Sequence, residues 1–251
     1  MKTTISVIIG LHVEYDEGVF VFLFHGIWKY VQLNGKHPCP GLTTVAFKCN
    51  GCITPAKRVE AVLSNDTTAN PAPLGLMGFG LTTILLSLSN AGYFALGAAI
   101  LTMGLFFGGA AQIIAGMMEY KKGNTFGMTV FCSFGFFWIV VITTILAPKL
   151  GLASAEGAQA MAWLFFLWGV YVVYLTIGTL RTNRLMQFTF AALAAVLFML
   201  AAGDAFGNGD IRVLAGYVGI LAGAGAVYMA ASHVLLETLG RNVLPLFPIK
   251  N

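Results

Sequence analysis

The stretch Asn70-Pro71-Ala72-Pro73-Leu74-Gly75-Leu76 separates two unlike parts of the chain. Polar and apolar residues are mixed before it, whereas apolar residues follow it almost without a break. Asn70 can accept hydrogen bonds from the free N–H groups of a first helical turn, and Pro71 suits the first helical position because no donor is needed there. The stretch therefore predicts the start of a membrane-spanning helix.

Two interpretations of this helix start remain open. The N-terminus of a helix carries partial positive charge, and Gly75, Gly78 and Gly80 keep the next turns thin, so that an anion can approach without a Lys or Arg. In the other interpretation the stretch is only a capped helix start and holds no ligand.

The composition is that of a helical membrane protein. Of the 251 residues, 58% are hydrophobic and 10% are charged, whereas about 25% of the residues in a typical soluble domain are charged. Gly-rich apolar runs of about 20 residues recur, and the alternation of a membrane β-barrel is absent. The sequence therefore predicts an all-α integral membrane protein. The net charge of +4 is small and scattered, which does not indicate a nucleic-acid partner.

Six apolar runs are long enough to cross a membrane as helices. Asn90-Ala91-Gly92, Lys121-Lys122-Gly123 and Pro148 mark the breaks between the first four runs. The predicted spans are residues 73–89, 93–120, 125–147, 157–180, 184–202 and 211–239. The odd-numbered spans are each preceded by an asparagine, namely Asn70, Asn124 and Asn183.

The basic residues predict that both ends of the bundle face the cytoplasm. With that orientation the outer loops carry Lys149 and Arg212 as their basic residues, and the other basic residues near the spans lie inside. The inner ones are Lys57, Arg58, Lys121, Lys122, Arg181, Arg184, Arg241 and Lys250.

Three regions are expected along the chain. Residues 1–69 form an N-terminal extension that we expect to be disordered, or to follow a start site that is not used in the cell. Residues 70–246 form the six-helix membrane domain, and residues 247–251 form a C-terminal tail.

The extension holds a weak match to a zinc site. His37 and Cys39 precede a Cys49-x-x-Cys52 pair, which supplies four ligands of the right type. The spacing of the first pair is irregular for such a site, and no periodic core surrounds it. We therefore predict no metal and no other cofactor, with zinc as the weaker alternative.

Charged residues avoid the centres of the predicted spans. Glu119 and Glu237 lie near cytoplasmic ends, where a solvated carboxylate is expected. Gln112 lies well inside the second span, and its amide is predicted to face either a neighbouring helix or a wet pore. The sequence has no nucleophile–base pair, no phosphate-binding loop and no dinucleotide fingerprint. These features exclude an enzyme and favour passage of a small solute.

Two long motifs resemble those of the acetate uptake transporter family, which includes the bacterial succinate–acetate permeases. They are N-P-A-P-L-G-L-M-G-F-G-L-T-T-I-L-L at residues 70–86 and F-F-G-G-A-A-Q-I-I-A-G-M-M-E-Y-K-K-G-N-T-F-G at residues 106–127. The resemblance extends over residues 70–246. It implies a six-helix protomer in a ring-like homo-hexamer in the cell inner membrane, with a monocarboxylate pathway through each protomer.

The resemblance also assigns residues to that pathway. Its narrowest part is built from a Phe, a Tyr and a Leu, which correspond to Phe79, Phe134 and Leu193. Phe134 departs from the pattern because it lacks the tyrosine hydroxyl, which can donate a hydrogen bond to a carboxylate. The remaining pathway positions are Asn70, Pro71, Ala72, Pro73, Leu74, Gly75, Leu76, Gln112, Asn124 and Thr125.

The resemblance implies uptake of acetate, with succinate as a second substrate, either coupled to protons or by channel-like passage. Because the spans carry no central base, Glu119 and Glu237 are the candidates for proton coupling. The expected partners are small carboxylates, protons, the lipid bilayer and further copies of the chain. The alternative hypothesis is a channel for small neutral solutes such as ammonia or water.

Overall fold

The computed structural model describes residues 69–249, which form six long apolar helices. Each helix is long and apolar enough to cross a membrane, which confirms the predicted number of spans. The helices are α1 (Ala72–Asn90), α2 (Ala98–Lys121), α3 (Thr125–Lys149), α4 (Ala158–Gly178), α5 (Arg184–Phe206) and α6 (Gly209–Leu239). The predicted extension and its zinc ligands His37, Cys39, Cys49 and Cys52 lie outside the described residues.

The helix boundaries follow the predicted ones with four differences, one of which is that α5 continues to Phe206, four residues beyond its predicted end. The start of α2 was predicted five residues too early, because α2 begins after Gly97, whose φ of −117° and ψ of −179° are extended. Pro148 does not stop α3, which continues to Lys149. Pro71 precedes the first residue of α1, and Pro73 lies in the first turn, where a missing donor costs nothing.

Asparagine side chains cap the three odd-numbered helices at one end of the bundle. Their Oδ1 atoms accept hydrogen bonds from backbone N–H groups that have no carbonyl partner in the first turn of the helix. Asn70, Asn124 and Asn183 accept from the N–H groups of Ala72, Gly127 and Met186 at 3.2, 3.0 and 2.8 Å. We call this end the Asn70 end, and the opposite one, where α1 stops, the Asn90 end.

The helices are arranged as a ring around a central space. Helix α1 packs between α2 and α6, α5 packs between α4 and α6, and α3 packs on α2. Side chains of α3 and α4 complete the ring, with the Phe137 and Trp168 ring centroids 4.5 Å apart and the Ser133 and Tyr171 hydroxyls 2.9 Å apart.

Glycines bring α1 and α6 into backbone contact. A Cβ built on Gly80 would lie 2.8 Å from the Gly223 carbonyl oxygen, and one on Gly223 would lie 2.8 Å from the Gly80 carbonyl oxygen. Gly216 meets the Ser87 carbonyl oxygen in the same way at 2.7 Å. We call this contact the α1–α6 seam. Small residues at this contact let the two helices approach closely.

Helix α2 contains a wide turn in its middle. Residues Gly104–Ala111 have π-helical hydrogen bonding, and regular α-helix resumes at Gln112. Gly108 lies in this turn against α1 and α3, since a Cβ there would be 2.9 Å from both the Thr82 methyl carbon and the Trp138 ring. Wide turns of this kind often accompany functional sites in helices.

Candidate functional site

Two cavities lie inside the ring of helices. The wide cavity has a volume of about 480 Å³ and reaches the Asn90 end, where Asn90, Glu156 and Arg212 border it. The narrow cavity has a volume of about 20 Å³ and lies toward the Asn70 end, beside Leu76 and Met229.

Three residues line both cavities: Phe79, Phe134 and Leu193. They project from α1, α3 and α5, and all three side chains are buried. The Phe79 and Phe134 rings meet edge to face, with centroids 5.6 Å apart. The structure therefore brings the three predicted constriction residues together, and we call them the aromatic–leucine ring.

The aromatic neighbours of Phe134 hold its ring in place. Phe137 and Trp168 lie with their ring centroids 6.3 and 5.9 Å from that of Phe134. Aromatic pairs of this kind stabilise the fold by more than their buried apolar area alone would, because the edge of one ring attracts the face of the other. Trp168 was not singled out from the sequence, since an aromatic residue in an apolar span gives no sign of what it faces.

Gln112 lies on the Asn70 side of the aromatic–leucine ring. Its side chain is 1% exposed, it lines the narrow cavity, and its Oε1 has no hydrogen-bond partner in the described part of the protein. A buried amide oxygen without a partner is costly, so a bound solute or water is the expected partner. The side chain both lines the narrow cavity and packs against α1, where a Cβ built on Gly78 would lie 3.3 Å from Gln112 Cγ.

The predicted motif 70–76 lies mostly away from the cavities. Only Leu76 among its residues lines either of them, and Leu74 is 38% exposed. Asn70 caps α1 and also donates a 2.8 Å hydrogen bond from its amide to Glu237 Oε1. The motif therefore ties the start of α1 to the end of α6, while Gly75 accommodates the Phe131 ring against α1.

Glu119 is buried, so the expected solvated carboxylate was wrong for this residue. It is 2% exposed, and its Oε2 accepts a 2.7 Å hydrogen bond from the Asn124 amide. Asn124 caps α3 with its Oδ1, so one side chain links the end of α2 to the start of α3, where Thr125 is the first helical residue. Glu237 is exposed, as predicted.

The wide cavity is lined by residues beyond the predicted constriction. Thr83 and Trp138 line it, and neither Thr83 Oγ1 nor Trp138 Nε1 has a hydrogen-bond partner within residues 69–249. Arg212 and Asp204 pair with each other at its outer border. The Thr82-Thr83 pair in an otherwise apolar span was the available sequence signal.

The fold and the cavities define a class of protein: a multi-pass helical membrane protein with a cavity on either side of an internal constriction. Comparison with known proteins identifies the family. A family model described as the GPR1/FUN34/yaaH family matches residues 53–250. This chain belongs to the GPR1/FUN34/yaaH family, which confirms the resemblance seen in the sequence.

Individual relatives agree with this assignment. The succinate-acetate/proton symporter SatP of Escherichia coli K12 is 52% identical over 184 residues, which cover 73% of this chain and 98% of that protein. Ammonia transport outward protein 2 of Saccharomyces cerevisiae is 32% identical over 174 residues, or 66% of this chain and 61% of that protein.

A solved structure matches the fold as well. It is described as the bacterial acetate channel SatP, has 52% sequence identity and gives a TM-score of 0.70 over 71% of this chain and 99% of the other. These relatives are named as transporters or a channel, in agreement with the expectation that this chain is not an enzyme.

Proposed function

We propose that this chain carries acetate and related small monocarboxylates, and also succinate, across the cell inner membrane. The observation that carries the proposal is that the wide and narrow cavities meet at Phe79, Phe134 and Leu193 and share no other lining residue. A solute that crosses the bundle between these cavities passes this ring. Support for the substrate comes from the names of the symporter and of the channel that resemble this chain over nearly their whole length.

The ring selects by requiring the solute to lose water. Acetate is mostly an anion near neutral pH, as a side-chain carboxyl is. An apolar passage makes an ion give up hydration that phenylalanine and leucine cannot replace, so this step limits the rate.

Protons enter through the carboxylates at the Asn70 end. Glu119 is buried against Asn124, and Glu237 is hydrogen-bonded to Asn70. With both termini in the cytoplasm, this group of side chains lies at the inner mouth of the route. A proton held there couples to carboxylate release into the cell.

The protomers associate as a ring-like hexamer, with one route in each protomer. The outward face of α4 carries a stripe of exposed apolar side chains that suits lipid or a neighbouring protomer. The stripe consists of Trp163, Leu167, Val170, Tyr174 and Ile177. The route does not need the subunit interface, because residues of a single chain line both cavities.

Uptake of radiolabelled acetate into proteoliposomes tests the proposal. We expect uptake above that of empty liposomes, competition by unlabelled succinate, and stimulation by an inward proton gradient. Uptake that ignores the gradient favours the channel mode over symport. Vesicles that pass ammonia but no acetate, followed with an internal pH dye, would replace this proposal with the neutral-solute channel.

Glu119→Gln and Glu237→Gln separate the two candidates for proton coupling. Each substitution keeps an amide oxygen as acceptor for Asn124 or Asn70 and removes the titratable group. We expect the variant at the coupling residue to retain acetate exchange at equal pH but to lose stimulation by the proton gradient. If both variants keep full stimulation, neither carboxylate carries the proton.

A further inference from the structure

The chain that follows α6 folds back over the Asn70 end of the bundle. Its residues 244–249, which we call the strap, are first attached to α6. There Ser232 Oγ donates a 2.7 Å hydrogen bond to the Leu244 carbonyl oxygen. The Tyr228 hydroxyl donates a second hydrogen bond, of 3.3 Å, to the Pro245 carbonyl oxygen. Side chains of α6 therefore hold the strap by its backbone carbonyls.

The strap then crosses to the start of α5. Pro248 lies opposite Asn183 in an antiparallel pair of backbones. Beside this pair, the N–H of Arg184 donates a 3.1 Å hydrogen bond to the Phe247 carbonyl oxygen. The strap therefore connects the last described helix to the first turn of α5.

The strap lies outward of the narrow cavity, which Met229 of α6 and Thr189 of α5 line. Ser232 follows Met229 by three residues in α6, which places it about 4.5 Å nearer the Asn70 end. Arg184 precedes Thr189 by five residues in α5, or about 7.5 Å in the same direction. Between these attachments Leu246 is partly buried and packs against the apolar core that contains Met229. The strap therefore crosses the Asn70 end on the α5–α6 side of the narrow cavity.

The route is closed on this side in the structure. The narrow cavity, with a volume of about 20 Å³, has room for about one water molecule, whereas the wide cavity of about 480 Å³ reaches the Asn90 end. A carboxylate that has passed the aromatic–leucine ring therefore leaves the bundle only when the Asn70 side opens. Because the strap is not part of a helix, it can move without unpacking the helices.

The strap is held weakly. Phe247 is 58% exposed, so its side chain adds little burial. Among residues 69–249, Phe247 is also the non-glycine residue with a positive φ, of 53°. This left-handed conformation is costly for a bulky side chain, and such strain is often found in segments that switch. Segments with little burial and few hydrogen bonds open locally at a low free-energy cost.

We infer that the strap is a lid on the Asn70 end of the route and lifts from α5 before a solute passes between the narrow cavity and the cytoplasm. The inference rests on the proposed function and adds a gate that is separate from the aromatic–leucine ring. The ring limits passage by dehydration, whereas the lid sets the fraction of protomers that are open at the Asn70 end. Uptake is proportional to that fraction in either orientation of the protein in a vesicle.

A disulfide between residues 183 and 248 tests the lid by holding it down. The hydrogen bonds on either side of the Asn183–Pro248 pair make it a non-hydrogen-bonded antiparallel pair, in which Cα atoms are about 4.5 Å apart and a disulfide fits. In proteoliposomes with Asn183→Cys/Pro248→Cys, we expect oxidation to lower the initial rate of acetate uptake about tenfold, because only protomers that escape cross-linking still open. Dithiothreitol should restore the rate. The two single variants, treated in the same way, control for the native cysteines.

The cross-linked variant distinguishes a lid from a purely structural attachment. An attachment that only joins α5 to α6 predicts that the oxidised form unfolds at the same or a higher temperature than the reduced form and transports equally well. That result, with cross-linking verified by mass spectrometry, would overturn the inference. If the wild type takes up no acetate, the proposed function fails and the lid fails with it.

Ser232→Ala tests the lid in the opposite direction and needs no cross-link. Loss of the hydrogen bond to the Leu244 carbonyl loosens the strap and should raise the initial rate of acetate uptake about fivefold, as the typical net contribution of one hydrogen bond predicts. Thr238→Ala is the matched control, because its hydroxyl lies near the same end of α6 but bonds to the Val234 carbonyl within the helix. A lower thermal midpoint with an unchanged rate in Ser232→Ala would show that the strap serves stability alone.

Discussion

The α1–α6 seam and the contact between α3 and α4 close the same ring of helices in opposite ways. At the seam, Gly80 and Gly223 bring two backbones together with no room for a Cβ. Between α3 and α4, the Phe137 and Trp168 rings and the Ser133–Tyr171 hydrogen bond fill the gap. Backbone contact makes a thin, fixed wall, whereas large side chains keep their helices apart and border the space.

This difference is reflected in the lining of the wide cavity on the side of α3 and α4. The residues that line the wide cavity include Phe134, Phe137 and Trp138 of α3 and Phe165 of α4, so its volume borders the aromatic contact. The hydrophobic effect contributes little to the association of helices inside a bilayer. Close packing of small residues must therefore supply the association energy at the seam. Small residues therefore join the helices at the α1–α6 seam, whereas large side chains of α3 and α4 shape the passage.

The largest expected effect comes from breaking the seam with Gly80→Val. Even the Cβ would lie 2.7 Å from a Val227 methyl carbon and 2.8 Å from the Gly223 carbonyl oxygen. Overpacking of this kind costs about 3 kcal/mol, so we expect a lower midpoint of thermal unfolding in detergent and loss of uptake. Gly209→Val is the control, since a Cβ there meets no atom within 4 Å. Equal stability of the two variants would contradict backbone contact at the seam.

Phe79→Ala widens the constriction on the α1 side of the aromatic–leucine ring. Removal of the ring that faces Phe134 joins the two cavities more widely. We expect entry of carboxylates larger than acetate to rise about tenfold relative to acetate, as lowering their barrier by about 1.4 kcal/mol would produce. Uptake of labelled carboxylates of increasing length measures this ratio. An unchanged range and flux in a monodisperse variant would mean that Phe79 is not part of the gate.

Phe134→Tyr sharpens the comparison, because it adds one polar atom to the aromatic contact and leaves its bulk. The hydroxyl can donate to a carboxylate in the ring, and a hydrogen bond of about 0.7 kcal/mol lowers the acetate concentration for half-maximal uptake about threefold. Competition by unlabelled succinate shows whether the preference changes too. A half-saturation equal to that of the wild type would show that the hydroxyl does not reach the solute.

Tyr171→Phe has the smallest expected effect. It removes the hydrogen bond to Ser133 between α4 and α3, which costs about 1 kcal/mol of stability. Because the ring packing remains, uptake should be nearly unchanged while the thermal midpoint falls. The exposed Tyr174, which stacks on Tyr171, offers the matched change Tyr174→Phe as a control. A large loss of uptake in Tyr171→Phe alone would place the hydroxyl on the route.

The sequence was sufficient for the number and order of the spans, because apolar length and breaks at Gly and Lys are local signals. It missed the start of α2, since Tyr93 and Phe94 extend the apolar run although the chain bends there and Tyr93 packs edge to face on Tyr217 of α6. That packing depends on a residue more than a hundred positions away. The wide turn in α2 could not be predicted either, because a local change from α-helical to π-helical hydrogen bonding leaves no mark on the composition.

The site was predictable as far as the family motifs reached. Phe79, Phe134 and Leu193 come from three different helices, so periodicity within one helix could not have grouped them; the resemblance did. Burial of Glu119 could not be seen, because it depends on the Asn124 amide across a tight turn.

The seam between the first and last helices also sets an order for biosynthesis. Helix α1 is made before the other five described helices, but Gly80 meets Gly223 only when α6, about 140 residues later, has left the ribosome. Until then the face of α1 that carries Gly80 borders lipid or another helix of the bundle. The wall of the passage is therefore closed only after α6 is made, and a nascent chain that stops before α6 lacks the residues with which α6 lines the narrow cavity.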